Sequence, residues 1–230
     1  MPEPPDPDSR NVLEPGCSRC PALADSRERI SWGNGSLDAD VVVVGEAPAY
    51  GDPDADRWRG GNWTGMAYTS RHSGRKIRGL FADAGLAPDE CYFTNAVKCF
   101  PVDGDSDEGE SSNREPTATE RANCRGHLRA EIEQVRPAVI APTGKHATLS
   151  VLGCETPPES RNGERHGREP ADALSGGFLD AVLDPVESGA FDATVLPLLH
   201  PSYQNVWLPR IGYAREEYVD ALRKAVARSR

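Results

Sequence analysis

Residues 36–48 read SLDADVVVVGEAP. Four consecutive valines cannot form a strand with one wet face, because such a strand alternates apolar and polar side chains; they describe a strand buried on both sides, as in the middle of a parallel sheet. The run stops at Gly45, a residue suited to a tight turn at a strand's carboxyl end. Three further segments read as strands: CYFTNAV from Cys91, PAVIAP from Pro137 to Pro142, and ATVLPLLH from Ala193 to His200. Helical patterns lie between and after them. SGRKIRGLFADAGL runs from about Ser73 to Leu86 with Gly85 as its C-cap. TATERANCRGHLRAEIEQV opens with Thr117 and has Glu120 three residues later, the spacing of a capping box. GKHATLSVLG makes a shorter helix, and AREEYVDALRKAVARS is the last. Strands alternating with helices predict a mostly parallel, four-stranded sheet covered on both faces.

A chain of 230 residues, 37% of them hydrophobic, can bury one substantial core. The acidic, proline-rich residues 1–12 read as a flexible tail, and residues 13–230 as one domain with polar insertions near 102–115 and 155–177. The longest apolar run, Val41–Val44, is far short of the ~18 residues of a membrane span, and MPEPPDPDSR has no apolar core of a secretory signal. A cytoplasmic protein with no membrane partner is expected.

The formal net charge is −10, which by itself argues against nucleic acid as a partner. Its distribution matters more. Lysine occurs only at 76, 98, 145 and 224, arginine carries most of the positive charge, and the Asp-rich runs fall in loops. That pattern fits solvation in a high-salt cytoplasm, as in a halophilic archaeon, and leaves room for a local anion site.

Six cysteines in a cytoplasmic chain point to metal rather than to disulfides. Cys17 and Cys20 form a C-x-x-C motif, and Cys99 and Cys124 can complete a four-thiolate cage; Cys91 and Cys154 read as small buried hydrophobes. Thiolates suit zinc or an iron–sulfur cluster, and spacing does not choose between them.

Ligands of open parallel sheets bind beyond the carboxyl ends of the strands. Those ends here are GEAPAYG, Asn95, PTGKH and HPSYQN. Each has an ordinary structural explanation alone, but together they bring a glycine turn, an amide and an imidazole to one rim.

In order along the chain, C-x-x-C at Cys17–Cys20, GEAPA at Gly45–Ala49, TGMAYTSRHSG at Thr64–Gly74, TNAVKC at Thr94–Cys99, Cys124, PTGKHATLSVLG, and HPSYQN at His200–Asn205 resemble the iron–sulfur uracil-DNA glycosylases of families four and five. The resemblance runs from Cys17 to about Trp207. It implies a three-layer α/β/α sandwich that hydrolyses the N-glycosidic bond of deoxyuridine in DNA. A structural [4Fe-4S] cluster would be held by Cys17, Cys20, Cys99 and Cys124. DNA containing uracil is the implied partner and a monomer the implied state, with a sliding clamp as a candidate protein partner.

The resemblance also assigns roles. Tyr68 stands where the family has a stacking phenylalanine, so its hydroxyl needs a partner. Asn95 is the edge reader, accepting the N3 proton of uracil and donating to O4. His200 donates to O2 as negative charge develops there. Gly45, Glu46 and Ala47 form the turn around the attacking water. Glu46 is family-four-like, whereas Ala49 and the QN of HPSYQN are family-five-like; Glu46 is the first choice for holding the water, and Asp52 the alternative. Ser202 and the SYQNVWLP turn, with Gln204, Asn205 and a wedge from Val206, Trp207 or Leu208, enter the minor groove. Arg71, Arg75, Lys76 and the start of the helix near Ser73 bind phosphate, and Lys98 has a structural or a phosphate role. Competing readings are a glycosylase that also takes hypoxanthine or xanthine, a non-enzymatic four-cysteine zinc module that binds nucleic acid, and an electron-transfer protein.

Overall fold

The computed structural model describes residues 2–103, 113–154, 174 and 176–229. Its strands are β1 (Arg10–Asn11), β2 (Gly33–Gly35), β3 (Val41–Gly45), β4 (Cys91–Asn95), β5 (Val139–Pro142), β6 (Val186–Ser188) and β7 (Ala193–Val195). Its helices are α1 (Pro21–Ser26), α2 (Gly61–Thr64), α3 (Ser73–Asp83), α4 (Ala118–Val135), α5 (Lys145–Gly153), α6 (Gln204–Trp207) and α7 (Arg215–Ser229).

The strands form one sheet in the order β1-β2-β4-β3-β5-β7-β6. The four strands expected from the sequence are its middle, β4-β3-β5-β7, all parallel. The sheet is nevertheless seven-stranded rather than four-stranded. Short antiparallel strands extend both edges, β1 and β2 beyond β4, and β6 beyond β7. Each is two or three residues long and β2 is simply Gly-Asn-Gly, so none carries a hydrophobic period that could announce it. Strand β1 also corrects the reading of residues 1–12 as a tail, since Arg10 pairs with Asn34 and Asn11 with Gly33. The fourth expected strand is shorter than ATVLPLLH: β7 ends at Val195, ahead of Pro197, which has no N–H to donate. Beside β5 the pairing still continues, with Leu198 donating to the Pro142 carbonyl at 2.8 Å. The polar insertions near 102–115 and 155–177 lie largely outside the described residues; of the first, the neck is described, where Val102 bridges Asn113.

The valine run explains the layering. Val41 and Val43 face one side with Phe93 and Ala141 and pack on Ile77 and Phe81 of α3 and on Tyr218 and Leu222 of α7. Val42 and Val44 face the other with Tyr92 and Ile140 and pack on Leu128 and Ile132 of α4 and Val151 of α5. Each fully buried side chain of this size contributes about 1.5–3 kcal/mol, so a polar residue at Val42 or Val43 would break a layer. Cys91 and Cys154 sit in these two cores, as expected of small hydrophobes. Helix α4 starts on the expected capping box, in which the Glu120 N–H donates to Thr117 Oγ1 and the Thr117 N–H donates to the Glu120 carboxylate. No helix among the described residues is long and apolar enough to cross a membrane.

Candidate active site

The parallel register sets Gly45 beside Asn95 at the carboxyl ends of β3 and β4. From β3 the chain goes to β4 on one side and later to β5 on the other, the strand order that opens a crevice at a sheet's rim. Pairing continues past the strands: Ala96 N–H donates to the Gly45 carbonyl at 2.7 Å and Val97 N–H to the Glu46 carbonyl at 2.9 Å. The Gly-Glu-Ala turn is thereby laced to the residues after Asn95. A Cβ on Gly45 would lie 2.3 Å from Asn95 Oδ1 and 2.8 Å from the Tyr68 hydroxyl, so only glycine fits beneath these two side chains.

Gly45, Glu46, Ala47, Tyr68, Asn95 and His200 all line one small cavity of about 30 Å³, room for about one water. It adjoins a cleft of about 900 Å³ that shares Glu46, Ala47 and His200 and is also lined by Arg71, Asp52, Ser202 and Trp207. The catalytic and substrate-binding residues expected from the sequence are thus brought together, with Ser202 on the outer cleft alone.

Tyr68 takes the left-handed conformation, φ 54°, which a bulky residue adopts only under constraint. Its hydroxyl has the partner that burial demands, Thr143 Oγ1 at 2.6 Å. Arg78 holds its main chain, donating to the Tyr68 carbonyl at 3.1 Å while its guanidinium lies 3.9 Å above the Phe93 ring. Burial pushes the Arg78 pKa down to about 10 and the Tyr68 phenol well up, so at neutral pH one stays charged and the other protonated.

Glu46 is half-buried, and its carboxyl is raised above the ordinary range, first by burial. His146 and Arg121 act against that shift and Glu115 adds to it. His146 Nε2 sits 3.1 Å from Glu115 Oε2. Asp52 is exposed at the cleft rim, and its Oδ1 accepts from the Asp54 N–H at 3.0 Å in a local turn.

His200 Nδ1 accepts a hydrogen bond from the Ser202 N–H at 3.3 Å. The neutral ring therefore carries its proton on Nε2. Burial, followed by the charge of Lys76, depresses the His200 pKa, which keeps the ring a neutral donor. Gly144, at φ 94°, lies against it, and a Cβ there would be 3.2 Å from His200 Cβ.

The expected DNA-contacting residues divide. Arg71 and Asn205 are exposed, and Arg75 is half-buried near the start of α3. Lys76 Nζ donates to the Pro201 carbonyl at 3.0 Å, which ties α3 to the His200 turn. Gln204 is a correction: it is 4% exposed, and its amide reaches the Leu199 carbonyl at 3.5 Å. Leu208 is also buried, and Trp207 packs against the core with Arg210 stacked on its ring at 4.6 Å. The outward large hydrophobic residues of the turn are Tyr203, 58% exposed, and Val206, 51% exposed. The turn is a 3₁₀ segment followed by a one-turn helix, so its side chains point around an axis rather than along a loop.

Cys17, Cys99 and Cys124 join one buried cluster with Leu23, Trp32 and Val97, and Cys20 and Ala47 pack against it. The thiol region therefore abuts the Gly-Glu-Ala turn after β3. Arg27 donates to Cys99 Sγ at 3.1 Å and Asn123 to Cys20 Sγ at 3.3 Å, bonds that suit sulfur bearing negative charge. Burial raises the Cys99 thiol and pushes Cys124 up to about 11, against the lowering pull of Arg27 on the first and Lys98 on the second. Such thiols ionise readily only when a metal takes the charge. Among the described residues, Glu14, Cys17 and His127 offer ligand atoms within 4.8 Å of one another. Thiols gathered in one cluster suit a zinc ion or an iron–sulfur cluster alike.

Sequence reasoning missed Thr143, Arg78, His146 and Glu115. Thr143 had a signal, since it ends a strand in PTGKH. Arg78 had none, because nothing local distinguishes it from Arg75, the other arginine of its helix.

A family model described as the uracil DNA glycosylase superfamily matches residues 32–226. A type-5 uracil-DNA glycosylase of Pyrobaculum aerophilum is 33% identical over 171 residues, 61% of this chain and 68% of that protein. Type-4 uracil-DNA glycosylases of Thermotoga maritima and Archaeoglobus fulgidus are 33% and 31% identical over 57% and 59% of this chain, each matched over 58% of its own length. With the doubly wound sheet and the rim it presents, these matches place the chain in the uracil-DNA glycosylase superfamily, to which it belongs.

Proposed function

We propose that this chain hydrolyses the N-glycosidic bond of deoxyuridine in DNA and leaves an abasic site. The observation that carries this reading is the convergence of Asn95, Tyr68, Glu46 and His200 on one cavity at the rim of β3 and β4. An enzyme acting on a base must first take it out of the stack. The flipped uracil lies against the Tyr68 ring, which Thr143 and Arg78 hold in place. The Asn95 amide matches the N3 and O4 pattern of uracil, and cytosine inverts that pattern. As the bond to the sugar lengthens, negative charge gathers on the base and positive charge on the sugar. His200 Nε2–H, neutral and preorganised, donates to O2 and stabilises the departing ring. Glu46, ionised, orients the water that adds to the sugar carbon and accepts the proton it sheds, with Arg121 among the groups that favour the ionised form. No covalent intermediate is needed.

Cys17, Cys20, Cys99 and Cys124 would hold a [4Fe-4S] cluster whose contribution is to tie the N-terminal segment, the loop after β4 and α4 together. The exposed Arg71, the start of α3 and the outward Val206 support contact with DNA, Val206 as the wedge. We assign a monomer, and the acidic composition supports adaptation to concentrated salt; a melting temperature that rises from dilute buffer to about 2 M KCl is the expected result.

The deciding assay incubates the protein with labelled oligonucleotides carrying U opposite G, U opposite A, hypoxanthine opposite T, or T opposite G, followed by hot alkali. Cleavage at uracil is expected. Cleavage at hypoxanthine as well would assign the broader specificity, and no cleavage on any substrate would overturn the reading.

A further inference from the structure

Of the four lysines, Lys98 alone is buried, 1% exposed, and it lines neither cavity. Its Nζ is fully satisfied, donating to Glu131 Oε2 at 2.5 Å, the Asn95 carbonyl at 2.6 Å and Thr94 Oγ1 at 2.7 Å. Glu131, 0% exposed, accepts in addition from the Thr94 hydroxyl at 2.5 Å and, through Oε1, from the Gly33 N–H at 2.9 Å. One network thus joins β2, the last two residues of β4 and α4. Glu131 follows Cys124 by seven residues on α4, on the same buried stripe, and Lys98 precedes Cys99.

A buried ion pair is a poor source of stability, since two aliphatic residues of similar volume often serve as well or better. What aliphatic residues cannot supply is a fixed direction. The ammonium, which does not line the cavity, grips the carbonyl of Asn95 itself, while Gly45 lies against the side-chain amide that does line it.

We propose that the Lys98–Glu131 pair is a positioning element for the base reader: it sets the main chain of Asn95, and through it the angle of the amide in the pocket, from a foundation on α4. This rests on Asn95 reading the base. Lys98 has no exposed edge for phosphate, so the phosphate role expected as one of its two possibilities falls away.

The test compares three variants of the full-length, cluster-loaded protein with the parent in single-turnover excision of U opposite G and in discrimination against C opposite G. Lys98→Met with Glu131→Leu removes both charges together, so neither is left buried alone. It is expected to keep its melting temperature within about 5 °C, its colour and its DNA affinity, but to excise about 10- to 100-fold more slowly, as for a misplaced catalytic group, and to discriminate less sharply. Thr94→Val strips one hydroxyl and leaves the charges paired; the same changes are expected at about 3- to 10-fold. It decides alone if the double variant does not fold. Parental rate and discrimination in a folded double variant, or in Thr94→Val where only that folds, would overturn the proposal. Asn95→Ala separates the two ideas. If it keeps uracil selectivity, the reader assignment fails; if it loses selectivity while the network variants keep theirs, the positioning role alone fails.

Discussion

The two walls of the pocket are built by different means. The Asn95 wall is laced by main-chain bonds from Ala96 and Val97 to the β3 turn, backed by the Lys98–Glu131 network, and flanked by buried cysteines. The His200 wall is a 3₁₀ segment and a one-turn helix, with Tyr203 and Val206 turned to solvent and a single lysine bond from α3 tying Pro201 down. Short, partly exposed elements lie nearer the low-stability end of a fold than a laced strand end, even with Gln204 and Leu208 buried beneath them. By this construction the Asn95 wall is the fixed one and the His200 wall the more adjustable.

This contrast can be broken or sharpened by substitution. The largest effect is expected from Cys99→Ser on the fixed wall: loss of absorbance near about 400 nm and a melting temperature lower by about 10 °C or more, because metal binding energy is folding energy. Calorimetry and a visible spectrum check it, and an unchanged melt with full colour would remove Cys99 from the cage. His200→Ala on the adjustable wall should leave the melt nearly alone and lower the single-turnover rate about 10³-fold with DNA affinity within about twofold. A change in affinity only would place His200 in binding rather than in leaving-group stabilisation.

Glu46→Gln should cost about 10²-fold in rate and erase the acid limb of the pH profile. The sign follows from the raised carboxyl. The active form is ionised, so activity in the parent falls as pH drops through a pKa above the ordinary carboxylate range. Folding runs the other way, since a raised pKa favours the protonated folded state and that stabilisation is lost as pH rises through it. The amide is therefore expected to melt slightly higher than the parent at neutral pH. Val206→Ala should weaken action on duplex DNA about fivefold and leave single strands unaffected, as a lost wedge requires. Tyr68→Phe is expected to be smallest, about twofold in rate, with a stability loss of about 1 kcal/mol for the lost bond to Thr143, whose hydroxyl keeps the Val44 carbonyl as a partner.

Much of this was legible in the sequence. The valine run announced the covered parallel core, and strand-end motifs located the rim because parallel sheets expose their ligand sites there. The edge strands were not legible: Gly33–Gly35 is too short to show a period and pairs with β4 mainly through its main chain, which leaves no apolar pattern. Gln204 was misread for a related reason. A polar residue beside exposed neighbours looks like a surface contact, and only the geometry of a one-turn helix turns it inward. Lys98 and Glu131 are 33 residues apart, and their partnership exists only once α4 lies across β4.

The glycine at position 45 has a bearing on how such a site can change over generations. With the Asn95 amide and the Tyr68 hydroxyl both inside the volume a methyl group would claim, that floor cannot be reshaped by small steps, because every alternative residue begins by displacing the two side chains above it. Room for a bulkier group has to be made elsewhere, and the solvent-facing Tyr203 and Val206 are positions free of that constraint. One missing methyl group fixes the floor of the pocket, and nothing comparable fixes its lip.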